Sequence, residues 1–294
     1  MEGFEFVVRA TEERFLELMR NYLAPFRVEE AGVPALDANV YVADCGVEKV
    51  LPGGRRLRPM TTLYLDSLRI FRGAAWEEMA GRLISSVRDM VTHHSNEFVR
   101  VRAAGVTLDG HALILPSLPS PHLPALSALL LRGGARYLGD EIVNIDPILQ
   151  RAHGMALPLL VDSSDFVHLP DLAARRPRGG RKERGDREAR TPRRPVTLKD
   201  LGAAPAPPHP VGWIVFPSFQ PGAPTELRPV ARAEAVFLFS QALLNLHIWT
   251  DRALVLAREL LESAWAGKLI VGSLPEAADV LRTGLPGLTG GQTK

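Results

Sequence analysis

The chain has 294 residues, 46% of them hydrophobic, a formal charge of +2 and one cysteine, Cys45. That length can bury a substantial core and house two modules, and a single cysteine excludes both an internal disulfide and a cysteine-built zinc site. The opening MEGFEFVVRATEERF places acids where a secretory leader needs a basic start and an apolar run, so a cytoplasmic protein is expected.

Residues 1–92 read as an N-terminal α/β module. It begins with a strand from Phe4 to Arg9 and a helix from Glu12 to about Tyr22, followed by short strands at Ala38 to Asp44 and Arg55 to Arg58. A helix from Trp76 to about Thr92 closes it. There Trp76, Met79, Leu83 and Val87 recur at helical spacing, which marks one core-facing stripe. The HHSNE that follows sets His93 and His94 beside Glu97. Adjacent histidines point to different helix faces, so a helix-end or surface role fits better than a metal site.

The second module, residues 93–294, opens with a strand from Glu97 to Val106. His111 to Pro116 is a short apolar strand, and Pro124 to Leu131 is a buried helix with proline in its first turn. This strand, loop and helix have the layout of a phosphate-binding element without its chemistry. A phosphate loop needs glycines whose positive φ lets consecutive N–H groups converge on the anion, and a lysine that reaches the outer phosphates. The loop here has neither, and Pro119, Pro121 and Pro124 have no N–H to donate. A further strand ends at Asp140 beside Glu141. Two carboxylates at a strand end are able to hold a cation, or simply to bond nearby backbone at a solvent-facing strand end. The polar run of Asp162, Ser163, Ser164, Asp165 and His168 suggests a Ser/His/Asp set. With no GxSxG elbow around either serine, a turn or helix cap is the better reading.

From Arg175 to Lys199 there are eleven basic and three acidic residues, a local balance of +8, so the remainder of the chain sums to −6. This Gly-, Pro- and Arg-rich stretch cannot bury enough apolar area to order itself. It reads as a disordered insertion at about residues 173–210, continuing through APAPPHP. No aromatic residue is interleaved to stack on bases, which disfavours nucleic acid as its partner. The module resumes with a buried strand from Gly212 to Phe219. Ala235 to Trp249 reads as one buried helix, too short to span a bilayer, and the last helix opens on a capping-box pattern of Ser273 and Glu276 around Pro275.

The flanks of the degenerate loop, DGHALILP before it and LLLRGGARYLGDEIVNIDP after it, resemble the HPr kinase/phosphorylase family and the HPr-kinase-like proteins of peptide-modification clusters. FPSFQPGAPTELRPVARAEAVFLF is similar to a second stretch of that group. The resemblance covers most of residues 95–285 and, more loosely, the N-terminal module. It implies a P-loop-like α/β fold of the HPr-kinase/PEP-carboxykinase type, a mixed sheet flanked by helices. Aligned on the flanks, the family's glycines fall on Ser117, Ser120 and His122, its lysine on Leu123, and its Ser/Thr pair on Pro124 and Ala125. Arg102 stands where the family carries a histidine. The acidic pair matches: Asp140 corresponds to a general base for the attacking hydroxyl, and Glu141 lies near the metal.

Phosphoryl transfer rests on positioning and charge stabilisation, so losing the lysine, the hydroxyl and the N–H cradle together removes most of what such a fold supplies. The expected function is therefore that of a pseudokinase, a scaffold that binds a protein or peptide, with no nucleotide, no metal and no membrane involved and a homo-oligomer allowed. The alternative is an active kinase or phosphorylase using ATP and Mg, with Asp140 as base and Arg102, Arg132 or Arg136 replacing the lysine. A third reading gives the arginine-rich segment an acidic or nucleic-acid partner.

Overall fold

The computed structural model describes residues 5–26, 38–47, 49–50, 52, 54, 56–57, 59–94, 97–116, 122–173 and 193–288. It is a mixed α/β protein whose contacts divide into two units, Met1–Ser95 with Arg176–Pro195 and Asn96–Arg175 with Val196–Lys294. The division falls three residues after the boundary expected from sequence.

In the first unit, β1 (Phe6–Ala10), α1 (Glu13–Tyr22), β2 (Asn39–Asp44), β3 (Thr61–Leu65), β4 (Leu68–Gly73) and α2 (Trp76–His94) follow in order. The sheet order is β1-β2-β3-β4, with β1 and β2 parallel and the rest antiparallel. Met79, Leu83 and Val87 are fully buried, as their spacing requires, and the Trp76 ring meets Phe15 edge-on at 6.1 Å. The β3–β4 hairpin was not read from the sequence, although TTLYLDSLRIF turns at Asp66, whose φ is 51°.

The second unit is built on nine strands. They include β5 (Val99–Val101), β6 (Ala103–Leu108), β7 (His111–Pro116), β8 (Arg136–Gly139), β9 (Val143–Ile145), β10 (Arg151–His153) and the long β11 (His209–Phe219), with β12 (Glu226–Pro229) and β13 (Trp265–Val271). The main path runs β8-β6-β7-β11-β10-β9-β5, and β13 lies beside β11 with β12 on its far side. Strands β7, β11 and β13 are mutually parallel; the other pairs are antiparallel.

Parallel strands need helical cover on both faces, and the helices α3 (Leu123–Arg132), α4 (Arg232–Ser240), α5 (Leu246–Ser263) and α6 (Leu274–Gly284) supply it. Leu113 and Leu115 of β7 pack with α3 and α6 on one face, while Ala112 and Ile114 pack with α4 and α5 on the other. This period-two split explains why HALILP looks uniformly apolar: each of Leu113, Ile114 and Leu115 is fully buried, worth roughly 1.5–3 kcal/mol apiece. Among the described residues, no helix is long and apolar enough to cross a membrane.

Four expectations need correction. The helix expected over Ala235 to Trp249 is two helices, because residues 242–245 instead close the edge of β5. Arg102 N donates to Ala242 O, Leu244 N to Arg100 O, and Arg100 N to Asn245 Oδ1 at 2.8 Å. These same bonds interrupt the strand expected over Glu97 to Val106 at Arg102, splitting it into β5 and β6. Within the expected insertion, residues 174–192 lie outside the described residues, but 193–210 are ordered. Tyr137 N donates to Ala204 O and Ala206 N to Tyr137 O, while Thr197 and Asp200 bond each other around a single turn at Lys199–Leu201. Between its prolines, APAPPHP presents the Ala204 carbonyl and the Ala206 N–H to the Tyr137 backbone of β8. Finally, Ser273 does cap α6 by position, yet its hydroxyl makes no capping bond; Thr225 Oγ1 takes the N–H groups of Gly272 and Ser273 instead.

Asn245 is 2% exposed and its amide also donates to Phe98 O at 2.8 Å. Replacing it in Asn245→Leu orphans the buried Arg100 N–H and leaves the Phe98 carbonyl only its bond from Trp249 Nε1, and is expected to cost about 2 kcal/mol in urea unfolding. A variant as stable as the parent would show the edge closure to be energetically idle. His153 gives a pH dependence: its ring lies against Phe98 at 4.7 Å and its buried Nε2 has no hydrogen-bond partner, so desolvation holds its pKa below 6.5, with Asp146 opposing. Since the folded value is the lower one, the contribution of the neutral ring is complete above the unfolded pKa and is lost as pH falls through the folded pKa. Chemical-denaturation curves of His153→Gln should therefore be flatter below pH 6.5 than those of the parent.

Candidate functional site

The register of β6 and β7 sets Ala103 opposite Pro116, so Arg102 lies at the edge where β7 ends and the chain runs towards α3. β8 brings Gly139 opposite Gly105, and Ala103 N donates to Glu141 O at 3.2 Å. Arg102, Asp140 and Glu141 thus share the edge at the C-terminal ends of the parallel strands, where open α/β sheets place their ligands. Gly139 makes that turn, since a Cβ there would collide with the Ile142 carbonyl, and Glu141 adopts a left-handed φ of 67°.

Of the loop positions, Ser117 and Ser120 lie outside the described residues. His122 is the N-cap of α3, with Leu123 and Pro124 opening the first turn. Leu123, aligned with the family's lysine, is 5% exposed and packs in the core cluster, and Pro124 and Ala125, aligned with the Ser/Thr pair, are buried as well. The helix is apolar all round because the sheet lies on one side of it and α6 on another. Its one hydroxyl, Ser127, is turned back onto Leu123 O.

His122 instead makes a contact that the sequence did not suggest. Its Nδ1–H donates to Asp165 Oδ1 at 2.9 Å, and its ring leans on Phe219 at a centroid distance of 5.4 Å. The Asp165 side chain is 5% exposed and its Oδ2 is buried without a hydrogen-bond partner. The end of α3 that carries partial positive charge is therefore supplied with an internal carboxylate through its own N-cap residue. In the VDSSDFVH run, Asp162 acts as the expected cap: it accepts from Ser164 N and from the Ser164 hydroxyl. The Ser/His/Asp reading fails on geometry, because Asp165 is held by His122, 43 residues away in sequence, and Ser164 Oγ is directed at Asp162. The sequence signal for this pair is slight: a lone histidine directly before the apolar helix.

Asp140 is 2% exposed, and its Oδ2 accepts from Leu160 N at 3.3 Å. It is hydrogen-bonded to nearby backbone as expected, but inside the fold rather than at a solvent-facing strand end. Two of the three candidate replacement arginines are elsewhere. Arg132 grips Asp171 through two 2.7 Å bonds at the other end of α3, roughly 14 Å along the helix from its start. Arg136 faces Thr107, at the opposite edge of the sheet, and donates to Pro205 O. Only Arg102 shares the edge with Asp140. His93 and His94 are the last two residues of α2. Among the described residues, no three His, Cys, Asp or Glu side chains come close enough together to hold a metal ion.

His122→Ala would strand the Asp165 carboxylate in a buried position and is expected to cost about 2 kcal/mol. Adding Asp165→Asn should recover about half of that loss, a coupling that a double-mutant cycle measures; strictly additive single-site effects would mean the contact carries no energy. No family model matches the chain, and no curated protein matches it.

Proposed function

We propose that the chain is a recognition or scaffold protein built on an HPr-kinase-like framework that no longer transfers phosphate, its ligand a protein or peptide of the kind handled by peptide-modifying enzymes, acting in the cytoplasm. The observation that carries this reading is the state of the α3 N-terminus. A nucleotide phosphate would need backbone donors and a lysine there; the position aligned with the lysine is a buried leucine, and the N-cap side chain already holds a buried carboxylate. That carboxylate repels a polyphosphate at the very point where a helix dipole would otherwise attract one. Retained framework with lost chemistry is what a binding role requires, since recognition depends on surface and shape and not on a phosphate cradle.

A second reading, an active phosphotransferase with Asp140 as base, is favoured by one observation: Arg102 lies on the same sheet edge as Asp140 and offers a guanidinium in place of the missing lysine. Isothermal titration with Mg-ATP and Mg-GTP separates the two. No saturable heat and no thermal-shift stabilisation are expected, whereas micromolar binding that Arg102→Ala and Asp140→Asn abolish would replace the first reading with the second.

A further inference from the structure

We infer that a cavity at the opposite edge of the same sheet, where β7 begins, binds a primary ammonium group carried on an apolar stem. This does not rest on the reading of α3, since the two edges are separated by the length of β7, about 17 Å.

The cavity has a volume of about 500 Å³, within the roughly 300–1,000 Å³ usual for small-molecule sites. Its space comes from a defect in the sheet. Between Val211 and Trp213 the pairing of β11 with β7 slips by one residue, leaving Gly212 as a bulge, and a Cβ on Gly212 would come within 2.7 Å of the His111 Cβ. Bulges of this kind occur beside binding sites because they re-aim side chains. Here His111 meets Trp213 edge-on at 5.6 Å.

The polar groups of the lining sort by sign. Three of its side-chain donors are engaged: Trp213 Nε1 donates to Leu288 O at 2.7 Å, Gln150 Nε2 gives one N–H to Glu259 Oε2 at 2.8 Å, and Ser263 Oγ donates to Leu260 O. Glu259 is in turn paired with Arg252. Its acceptors are open. His111 Nδ1 lies 3.0 Å from the Asp109 carbonyl, which can only accept, so the neutral ring carries its proton on Nδ1 and presents Nε2 as a lone pair. Among the described residues, the Asp109 carboxylate forms no ion pair and no lysine or arginine lines the cavity. A ligand suited to this lining brings N–H donors and a positive charge.

The rest of the wall is apolar, from Val211, Leu260 and Leu288 to Leu149, which is 65% exposed at the rim beside Ile148 at 82%. That rim is held open by Asp146, whose Oδ1 accepts the N–H groups of Ile148 and Leu149 at 2.7 and 2.8 Å. An apolar stem therefore meets preformed apolar surface, and its ammonium head meets Asp109 and His111. Such a group is found on a free alkylamine and on the side chain of a lysine.

The test is an NMR titration of the full-length protein, following the Trp213 indole N–H, assigned by its loss in Trp213→Phe. The probes are n-hexylamine, 1-hexanol, hexanoate and Nα-acetyl-lysine amide. Saturable binding of hexylamine is expected, weakened about fivefold or more when the head is the neutral alcohol or when Asp109 is changed in Asp109→Asn. Asparagine accepts the left-handed φ of 45° at this position as readily as aspartate does, so the turn survives that change. Leu149→Ser should weaken hexylamine and hexanol together. Acetyl-lysine amide competing with hexylamine at comparable concentration would identify a peptide side chain as the source, and its failure to compete would identify a free amine; either result supports an ammonium site. Hexanol or hexanoate binding as tightly as hexylamine, hexylamine binding unchanged in Asp109→Asn, or the absence of saturation with every probe overturns the inference.

Discussion

Everything in the larger unit follows from the parallel triplet β7, β11 and β13. Parallel neighbours cannot be joined by a tight turn, so each connection must cross a face of the sheet, and the crossing chain must bury both itself and the strands beneath it. That requirement puts α3 on one face and α4 and α5 on the other, α6 packs beside α3 after the last strand, and the central strands are apolar on both sides. It also gives the sheet two unlike edges. At one, β7 ends and α3 begins, bringing His122, Asp165, Asp140 and Arg102 to the same side. At the other, β7 starts beside the bulge at Gly212, and the lining is short of open donors.

The elements that could be read from sequence are those whose signal is local. The strand at His111–Pro116, the proline-opened helix after it, the stripe of α2 and the strand leading to Phe219 all announce themselves by periodicity or by a first-turn proline. What could not be read depends on distant partners. Residues Ala235 to Trp249 have every local mark of one helix, and they break because Asn245 answers the backbone of Phe98 and Arg100, 145 or more residues away. APAPPHP has the composition of a linker, and it is ordered because β8 offers it an edge.

The candidate site shows the same division. The absence of glycine and lysine between β7 and α3 is visible in the sequence, and the burial of Leu123 follows from the apolar character of the helix. The replacement chemistry is not visible. His122 and Asp165 are each unremarkable in their own segments, one next to a proline-rich loop and the other inside a capped turn. Only the fold shows that the turn hands one carboxylate, Asp162, to its own backbone and the other, Asp165, to the helix that follows β7. Proximity in sequence tied Asp165 to His168 and the serines, and proximity in space ties it elsewhere.

The segments that closed β5 and β8 have a bearing on how this chain behaves at high concentration. An open sheet ends in rows of unpaired N–H and C=O groups, the template on which a second chain can add a strand and begin a fibre. Here Asn245 and Leu244 occupy the backbone of Arg100 on one side, while Ala204 and Ala206 occupy that of Tyr137 on the other, in both cases with irregular chain that cannot itself be extended as a ladder. The remaining outer strand, β12, ends in Pro229 and carries the paired charges of Glu226 and Arg228. Interruptions that spoil the helix and the strand as local patterns are thus also the features that keep a nine-stranded sheet from growing into its neighbours.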